Sequence, residues 1–187
     1  LKYGIEVFQP NTLRDGEAAE ILRKISPDVI VVVAYGKILP KEILDMPKYG
    51  CINVHASLLP GYRGSAPINW CLLQGDERAG VTIMLTDIGI DTGDMIAKDE
   101  VTIGENEDFG SLYDRMGKSG GKLLISVVEK IENGTASAEA QDDSLANYAA
   151  KIEKADCVID FSKSAKEVCD LVRGLSPIPL ALTRTLL

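Results

Sequence analysis

The first part of the chain alternates short apolar runs with amphipathic stretches. Periodicity predicts three strands and two helices in alternation: strands over residues 4–9, 28–35 and 51–56, and helices over residues 17–25 and 41–45. The strand over residues 28–35 is almost continuously apolar, which is typical of a strand covered on both faces in a parallel sheet. This order predicts an α/β fold with parallel strands and right-handed crossovers.

The rest of the chain adds an antiparallel pair and longer helices. The pattern predicts strands over residues 80–86 and 95–103, and helices over residues 66–73, 108–131 and 164–172. Only eight residues, 87–94, join the two strands, and so short a link cannot contain a helical crossover. The sheet is therefore predicted to be mixed and Rossmann-like, with parallel strands followed by an antiparallel pair, and flanked by helices.

Two changes in this pattern divide the chain. Residues 1–134 form the predicted α/β unit, whereas residues 135–155 are small, polar and weakly patterned, as in a linker. Residues 156–187 are predicted to begin a small second domain, with a helix that ends near Gly174 and a proline-containing stretch over residues 176–179.

Composition narrows the class of protein. The 187 residues are 45% apolar, and no apolar run approaches the roughly 20 residues of a membrane-spanning helix. Four cysteines without a C-x-x-C pair are predicted to be reduced core thiols, which favours a cytoplasmic protein. The net charge of −8 argues against a nucleic-acid grip by long-range electrostatic attraction alone.

Asn53 and His55 are the first candidates for chemistry. They stand two apart at the end of a predicted strand, so their side chains leave the same face, at the carboxyl end where open α/β sheets bind ligands. An asparagine amide donates hydrogen bonds to a developing oxyanion, and a histidine donates one or carries a proton near neutral pH. The alternative is that both are hydrogen-bonded residues that merely end a strand.

Asp91 and Asp94 lie in the short loop between the two antiparallel strands, among several other acidic residues. A carboxylate beside a histidine orients the ring, and one near an attacking amine accepts its proton. The alternative is turn chemistry, because Asp and Gly are common in tight loops for backbone reasons.

Three other kinds of site fail on inspection. Gly117-Lys118-Ser119 imitates the end of a phosphate-binding loop, but Leu112 stands where that loop requires glycine. No metal is expected, since the chain has one histidine and no clustered cysteines. Ser57 lies near His55 without the G-x-S-x-G elbow of a nucleophilic serine.

Several motifs together carry a family resemblance. They are N-V-H-A-S-L-L-P at 53–60, Y-R-G-S-A-P-I at 62–68, G-V-T-I-M at 80–84 and G-I-D-T-G-D-M at 89–95, with V-V-V-A-Y-G-K-I-L-P upstream at 31–40 and V-R-G-L-S-P-I-P downstream at 172–179. The chain resembles the methionyl-tRNA formyltransferase family of folate-dependent formyltransferases over nearly its whole length. The short motifs S-L-L-P and D-x-G-D also occur in formyltransferases that act on glycinamide ribonucleotide and on amino sugars. The motifs T-I-M, D-T-G-D-M and S-P-I-P favour the family that acts on methionyl-tRNA.

The resemblance implies transfer of a formyl group from 10-formyltetrahydrofolate to the α-amino group of methionine on initiator tRNA. Position by position, Asn53, His55 and Asp91 match the family's catalytic asparagine, histidine and aspartate. Asn53 and His55 would donate hydrogen bonds to the oxygen on which negative charge develops. Asp91 would orient His55 and help to remove the proton of the amine, while Asp94 is expected only to shape the loop.

The resemblance also implies how the co-substrate and partners bind. The residues expected to contact folate are Ser57, Leu58, Leu59 and Pro60 of one loop and Lys37, Ile38 and Leu39 of another. The implied macromolecular partner is initiator methionyl-tRNA, and the protein is expected to be a cytoplasmic monomer that needs no metal.

The chain also departs from the family pattern at both ends. Family members begin with a strand, a helix and a strand that would precede Leu1, and they continue into a β-rich domain. Residues 1–134 are therefore expected to be an N-terminally truncated catalytic domain and residues 156–187 the start of a tRNA-binding domain, so activity of the fragment stays open. Two alternatives remain: an amino-sugar N-formyltransferase, which the P-I-N-W stretch at 67–70 faintly suggests, and a non-catalytic folate-binding remnant.

Overall fold

The computed structural model describes residues 2–183, so Leu1 and the last four residues of the predicted second domain lie outside the described residues. The strands in this range are β1 (Ile30–Val33), β2 (Cys51–His55), β3 (Arg63–Gly64), β4 (Arg78–Leu85), β5 (Met95–Thr102) and β6 (Tyr148–Ala149). The helices are α1 (Glu17–Ile25), α2 (Lys41–Leu44), α3 (Pro67–Leu73), α4 (Phe109–Glu132) and α5 (Ala165–Gly174), with a 3₁₀ turn over Asp143–Leu145.

A four-stranded mixed sheet in the order β1-β2-β4-β5 organises the molecule. β1 and β2 are parallel, whereas β4 runs antiparallel to both β2 and β5. The predicted α/β mixed sheet is therefore confirmed, including the antiparallel pair β4–β5 that the short link requires. The register places His55 opposite Thr82, which brings a buried hydroxyl beside the end of β2.

Helix α4 covers one face of this sheet. Its Val127 and Ile131 are buried against Ile52 and Ile83, and the helix begins with a capping box in which Asp108 and Ser111 exchange hydrogen bonds. On the opposite face α1 and α2 enclose a second cluster of buried residues around Ile43. Asn53 and His55 alternate with Ile52 along β2, so they lie on the face opposite α4.

Two expectations about the first strands are wrong. Residues 4–9 form no strand: Ile5 and Val7 are exposed, because no neighbouring strand within the described residues offers this segment a hydrogen-bonded partner. β1 is not covered on both faces either, since Val31 and Val33 are 38% and 57% exposed. These two side chains point to the face that carries α4, which packs over β2, β4 and β5 but does not reach across β1.

Residues 135–155 lie across the strand ends. Glu139 exchanges backbone hydrogen bonds with Met95, and β6 pairs with β3 in a small parallel sheet. Farther along, the Trp70 indole donates to the carbonyl of Ala150 at 2.8 Å. This segment, called the strap below, is therefore held against the loops that follow β2 and β4. Over residues 2–183 no helix is both long and apolar enough to cross a bilayer.

Candidate functional site

Asn53, His55 and Asp91 come together at the carboxyl end of β2. Asn53 Nδ2 lies 3.4 Å from Asp91 Oδ1, and His55 Nδ1 lies 3.6 Å from Asp91 Oδ2. The side chains of His55 and Asp91 are 6% and 16% exposed, so the pair is largely shielded from water. The two-residue spacing on β2 and the turn between β4 and β5 thus place an amide, an imidazole and a carboxylate within one small volume.

The ring of His55 is oriented from both sides. Nε2 lies 2.9 Å from the carbonyl oxygen of Tyr62, which can only accept, so this nitrogen carries a hydrogen. Nδ1 then faces the Asp91 carboxylate, 3.6 Å from Oδ2 and beyond hydrogen-bond length. Tyr62 is itself fixed, because its hydroxyl donates to Asp76 at 2.7 Å and its backbone N–H donates to the Asn147 side chain.

Asp91 adopts a strained backbone conformation that several neighbours support. Its φ of 54° lies in the left-handed region, which is uncommon for residues other than glycine. Asp91 Oδ2 accepts the Gly64 backbone N–H at 2.8 Å, and Gln141 Nε2 donates to the Asp91 carbonyl at 2.8 Å. Gly93 is required two residues later, because a Cβ there would overlap the carbonyl of Leu85.

In the loop of Ser57, Leu58, Leu59 and Pro60, which follows β2, Ser57 and Leu59 are buried and the other two residues are partly exposed. The Ser57 hydroxyl donates to the Gly61 carbonyl at 2.6 Å, and the side chain of Leu59 is enclosed by Met84 and Met95. Because these two side chains turn into the protein, a folate contact from Ser57 or Leu59 would have to come from the backbone. That contact stays a prediction.

Two residues that the sequence did not single out support this loop. Thr82 Oγ1 donates to the Ser57 carbonyl at 2.7 Å and accepts the Leu59 N–H at 3.1 Å, while Lys98 Nζ donates to the Leu59 carbonyl at 2.5 Å. The sequence could have indicated a structural role for Thr82, because a hydroxyl in the middle of a buried apolar strand needs hydrogen-bond partners. Gln141, which supports the Asp91 loop, could not be identified from the sequence, since it lies in a weakly patterned polar stretch.

Lys37, Ile38 and Leu39 lie apart from the loop just described. Lys37 Nζ donates to the carbonyls of Pro10 and Asn11, at 3.0 and 2.8 Å. Lys37 and Ile38 line an open cavity of about 330 Å³, whereas Leu39 packs against the core between α1 and α2. A pteridine contact from these residues stays a prediction.

A second cavity, of about 390 Å³, adjoins the Asp91 loop. It is lined by Leu44, Gly50, Cys51, Leu85, Thr86, Asp87, Thr92, Gly93 and Asp94. Thr86 Oγ1 is buried there without a hydrogen-bond partner among the described residues. The polar lining residues Asp87, Thr92 and Asp94 suit a ligand rich in donors and acceptors, such as a pteridine ring.

Two of the four cysteine thiols are held protonated by burial. Burial raises the pKa of the Cys51 thiol to about 11 and that of Cys71 to about 12, so both stay protonated near neutral pH. Cys169 is exposed, which corrects the expectation that all four thiols are in the core. No group of three His, Cys, Asp or Glu residues suited to a metal occurs within residues 2–183.

Comparison with family models assigns almost the whole length of the chain. The model described as formyl transferase matches residues 2–128, and the one described as formyl transferase, C-terminal domain, matches residues 151–186. The methionyl-tRNA formyltransferase of Agathobacter rectalis is 51% identical over 183 residues. These residues are 98% of this chain but 59% of that relative, so the chain spans little more than half of its length.

Solved structures agree on the fold. A 4-N formyltransferase from Francisella tularensis superposes with a TM-score of 0.79 at 24% identity, covering 93% of this chain and 71% of that one. An N-formyltransferase from Helicobacter canadensis, in complex with folinic acid and dTDP-3-aminofucose, gives a TM-score of 0.67 at 26% identity. It covers 75% of this chain and 52% of the other.

Proposed function

Since this chain belongs to the formyl transferase family, we propose that its site transfers a formyl group from 10-formyltetrahydrofolate to the α-amino group of methionine on initiator tRNA. The observation that carries the proposal is the meeting of Asn53, His55 and Asp91 at the end of β2. The choice of acceptor is supported by 51% identity to the Agathobacter rectalis methionyl-tRNA formyltransferase, against 24% to the Francisella tularensis 4-N formyltransferase.

Each of the three side chains has a distinct task in such a reaction. The bound folate supplies an electrophilic formyl carbon, which the neutral amine attacks while negative charge grows on the formyl oxygen. Asn53 Nδ2 has two hydrogens and directs one of them toward Asp91, so the second is free to donate to that oxygen. A donor placed in this way typically contributes about 3 kcal/mol to transition-state stabilisation.

Asp91 accepts the proton that the amine loses, and His55 lies beside it. As the C–N bond forms, the amine loses a proton, which the Asp91 carboxylate accepts directly or through water. The bond from the formyl carbon to the folate nitrogen then breaks, and that nitrogen takes up a proton from the Asp91 carboxyl or from water, which balances the proton lost by the amine. His55, held by the Tyr62 carbonyl, faces Asp91 with its other nitrogen and confines the carboxylate on that side.

The cavity beside the Asp91 loop is the proposed folate site. Polar groups on its lining come from Thr86, Asp87, Thr92 and Asp94. The predicted folate contacts of Ser57, Leu58, Leu59 and Pro60 and of Lys37, Ile38 and Leu39 would come from loops next to the residues that line it. The proposal involves no metal: the Asn53 amide supplies the hydrogen-bond donor at the oxyanion.

The remaining parts of the proposal concern the whole protein. Residues 1–134 belong to the catalytic domain, residues 135–155 link it to the second domain, and residues 156–187 begin the part that binds tRNA. We expect a cytoplasmic monomer, consistent with cysteines that are free in this structure.

The acceptor is tested by supplying labelled 10-formyltetrahydrofolate with either methionyl-initiator tRNA or a nucleotide-linked amino sugar. Two proteins are compared: this chain, and a chimaera in which it replaces the matching residues of the Agathobacter rectalis relative. We expect the chimaera to label the methionyl-tRNA and not the sugar. Label on the sugar alone would assign the site to amino-sugar formylation, and binding of folate without any transfer would identify a non-catalytic module.

A further inference from the structure

We propose that Gln141, in the strap, is a positioning residue that holds the Asp91 loop in its reactive arrangement. This inference rests on the proposed function, because it assigns Asp91 the role described above. Gln141 lies 50 residues from Asp91 along the chain and contacts its backbone, not its carboxylate. The strap would thus complete a site whose catalytic groups all lie on other elements.

The side-chain amide of Gln141 is fully used. Its Nε2 donates one hydrogen to the Asp91 carbonyl and one to the Gly93 carbonyl, both at 2.8 Å. Its Oε1 accepts from Arg63 Nε at 3.0 Å and from Arg63 Nη2 at 2.8 Å. Four hydrogen bonds fix the amide in one orientation, and two of them pin the carbonyls on either side of Thr92.

Arg63 fixes the orientation of the Gln141 side-chain amide. Its side chain is 3% exposed, and its planar fork of donors can bind only the oxygen end of the Gln141 amide. The nitrogen end is thereby directed at the loop. Asp143 completes the arrangement by pairing with Arg63 Nη2 at 2.7 Å, although the Asp143 side chain itself is 82% exposed.

The Asp91 loop needs such support because apolar packing does not hold it. Ile88 and Ile90 are 84% and 61% exposed, and Asp91 has a positive φ. A strained residue keeps its conformation only where its surroundings over-determine it. The two hydrogen bonds from Gln141 fix the backbone of the loop. Asn53 and the Gly64 N–H fix the Asp91 carboxylate.

A simpler explanation is that Gln141 serves only to satisfy the buried guanidinium of Arg63. The two explanations differ for Gln141→Glu, which keeps acceptors for Arg63 but has no hydrogen to donate to the two loop carbonyls. Gln141→Met removes every hydrogen bond at nearly constant volume. Glu139→Gln is the matched control, since Glu139 is exposed on the same strap and its side chain makes no hydrogen bond within the described residues.

The variants are compared in the chimaera by two measurements. The first is formyl transfer, separated into kcat and KM. The second is hydrogen exchange of the Gly64 backbone amide, whose hydrogen bond to Asp91 Oδ2 reports the carboxylate position without any turnover. We expect kcat to fall about 10- to 100-fold in Gln141→Glu and Gln141→Met, with KM nearly unchanged. Gly64 should exchange about 10-fold faster in both variants, and Glu139→Gln should match the unsubstituted protein.

The possible results separate the two proposals. Full activity of Gln141→Glu, or unchanged Gly64 exchange in Gln141→Met, would overturn the positioning role. If the unsubstituted chimaera transfers no formyl group, the proposed function fails. The Gly64 exchange rates would still decide whether Gln141 holds Asp91.

Discussion

Thr82 illustrates how single residues prepare this site. It is fully buried in the middle of β4, opposite His55, and its one hydroxyl bonds both the Ser57 carbonyl and the Leu59 N–H. Breaking these bonds would leave two buried backbone groups without partners, which costs more than the bonds contribute in net terms. The hydroxyl therefore ties the loop after β2 to the neighbouring strand.

Thr82→Val tests this tie at nearly constant volume. We expect the free energy of unfolding to fall by about 2–4 kcal/mol, because a donor and an acceptor become unsatisfied in the core. Thr102→Val, an exposed site at the end of β5, is the control and should change stability by less than about 0.5 kcal/mol. Urea unfolding gives both values, and equal effects at the two sites would show that Thr82 does not hold the loop.

Individual residues also show what the sequence could and could not predict about the site. Asn53 and His55 follow from strand alternation, and Asp91 follows from an acidic glycine-containing loop between two strands. These are local rules. Gln141 acts on a loop 50 residues away, and its contact depends on how the strap crosses the sheet, which no local pattern encodes. Long-range hydrogen bonds of this kind become visible only in the folded chain.

Among the helices and strands, the sequence-based predictions were correct where the periodic pattern was long and wrong at the edge of the sheet. The pattern predicted a helix over residues 108–131, and α4 spans Phe109–Glu132. Residues 4–9 alternate as a strand does but find no hydrogen-bonded partner within residues 2–183, where β1 pairs with β2 alone. A sequence pattern shows that a segment can pair, whereas pairing itself requires a neighbouring strand.

Helix α5 contains a buried carboxylate, Asp170, that is paired with two basic side chains. Asp170 is 6% exposed and lies between Lys166 Nζ at 2.7 Å and Arg173 Nε at 2.9 Å. Burial alone would raise the pKa of this carboxyl, but the hydrogen bonds and charges of Lys166 and Arg173 outweigh it and hold the pKa below its usual value of 3.8. A depressed folded-state pKa stabilises the protein above the unfolded-state value, and this contribution is lost as the pH falls.

Asp170→Asn should therefore lower the free energy of unfolding by about 1–3 kcal/mol at pH 7. The difference from the unsubstituted protein should shrink as the pH drops below 3.8 and Asp170 becomes neutral in both states. Urea unfolding at a series of pH values measures the difference, with Asp114→Asn on the exposed surface of α4 as the control. A difference that stays constant with pH would show that packing, not charge, accounts for the role of Asp170.

At the scale of the whole molecule, the strap connects the parts that the sequence separates. Residues 135–155 link the region matching the formyl transferase model to the region matching its C-terminal domain. Yet Gln141 and Asn147 contact the loops of the proposed active site directly. The structure thus gives this polar, weakly patterned segment a role in holding the site, in addition to joining two regions. The strap thereby supports the groups to which we assign the chemistry, Asn53, His55 and Asp91.

Single-turnover formyl transfer to methionyl-initiator tRNA tests the proposed catalytic roles of Asn53, His55 and Asp91. The chimaera is compared with its Asn53→Ala, His55→Ala and Asp91→Asn variants, and Asp114→Asn again serves as the matched exposed control. We predict that each of the three site variants loses about 100-fold or more in rate, while the control keeps the rate of the unsubstituted chimaera. Asn53→Ala removes the oxyanion donor, Asp91→Asn the proton acceptor, and His55→Ala the ring that packs beside that acceptor. Rates in the site variants that equal the control would contradict the assignment of catalysis to this cluster.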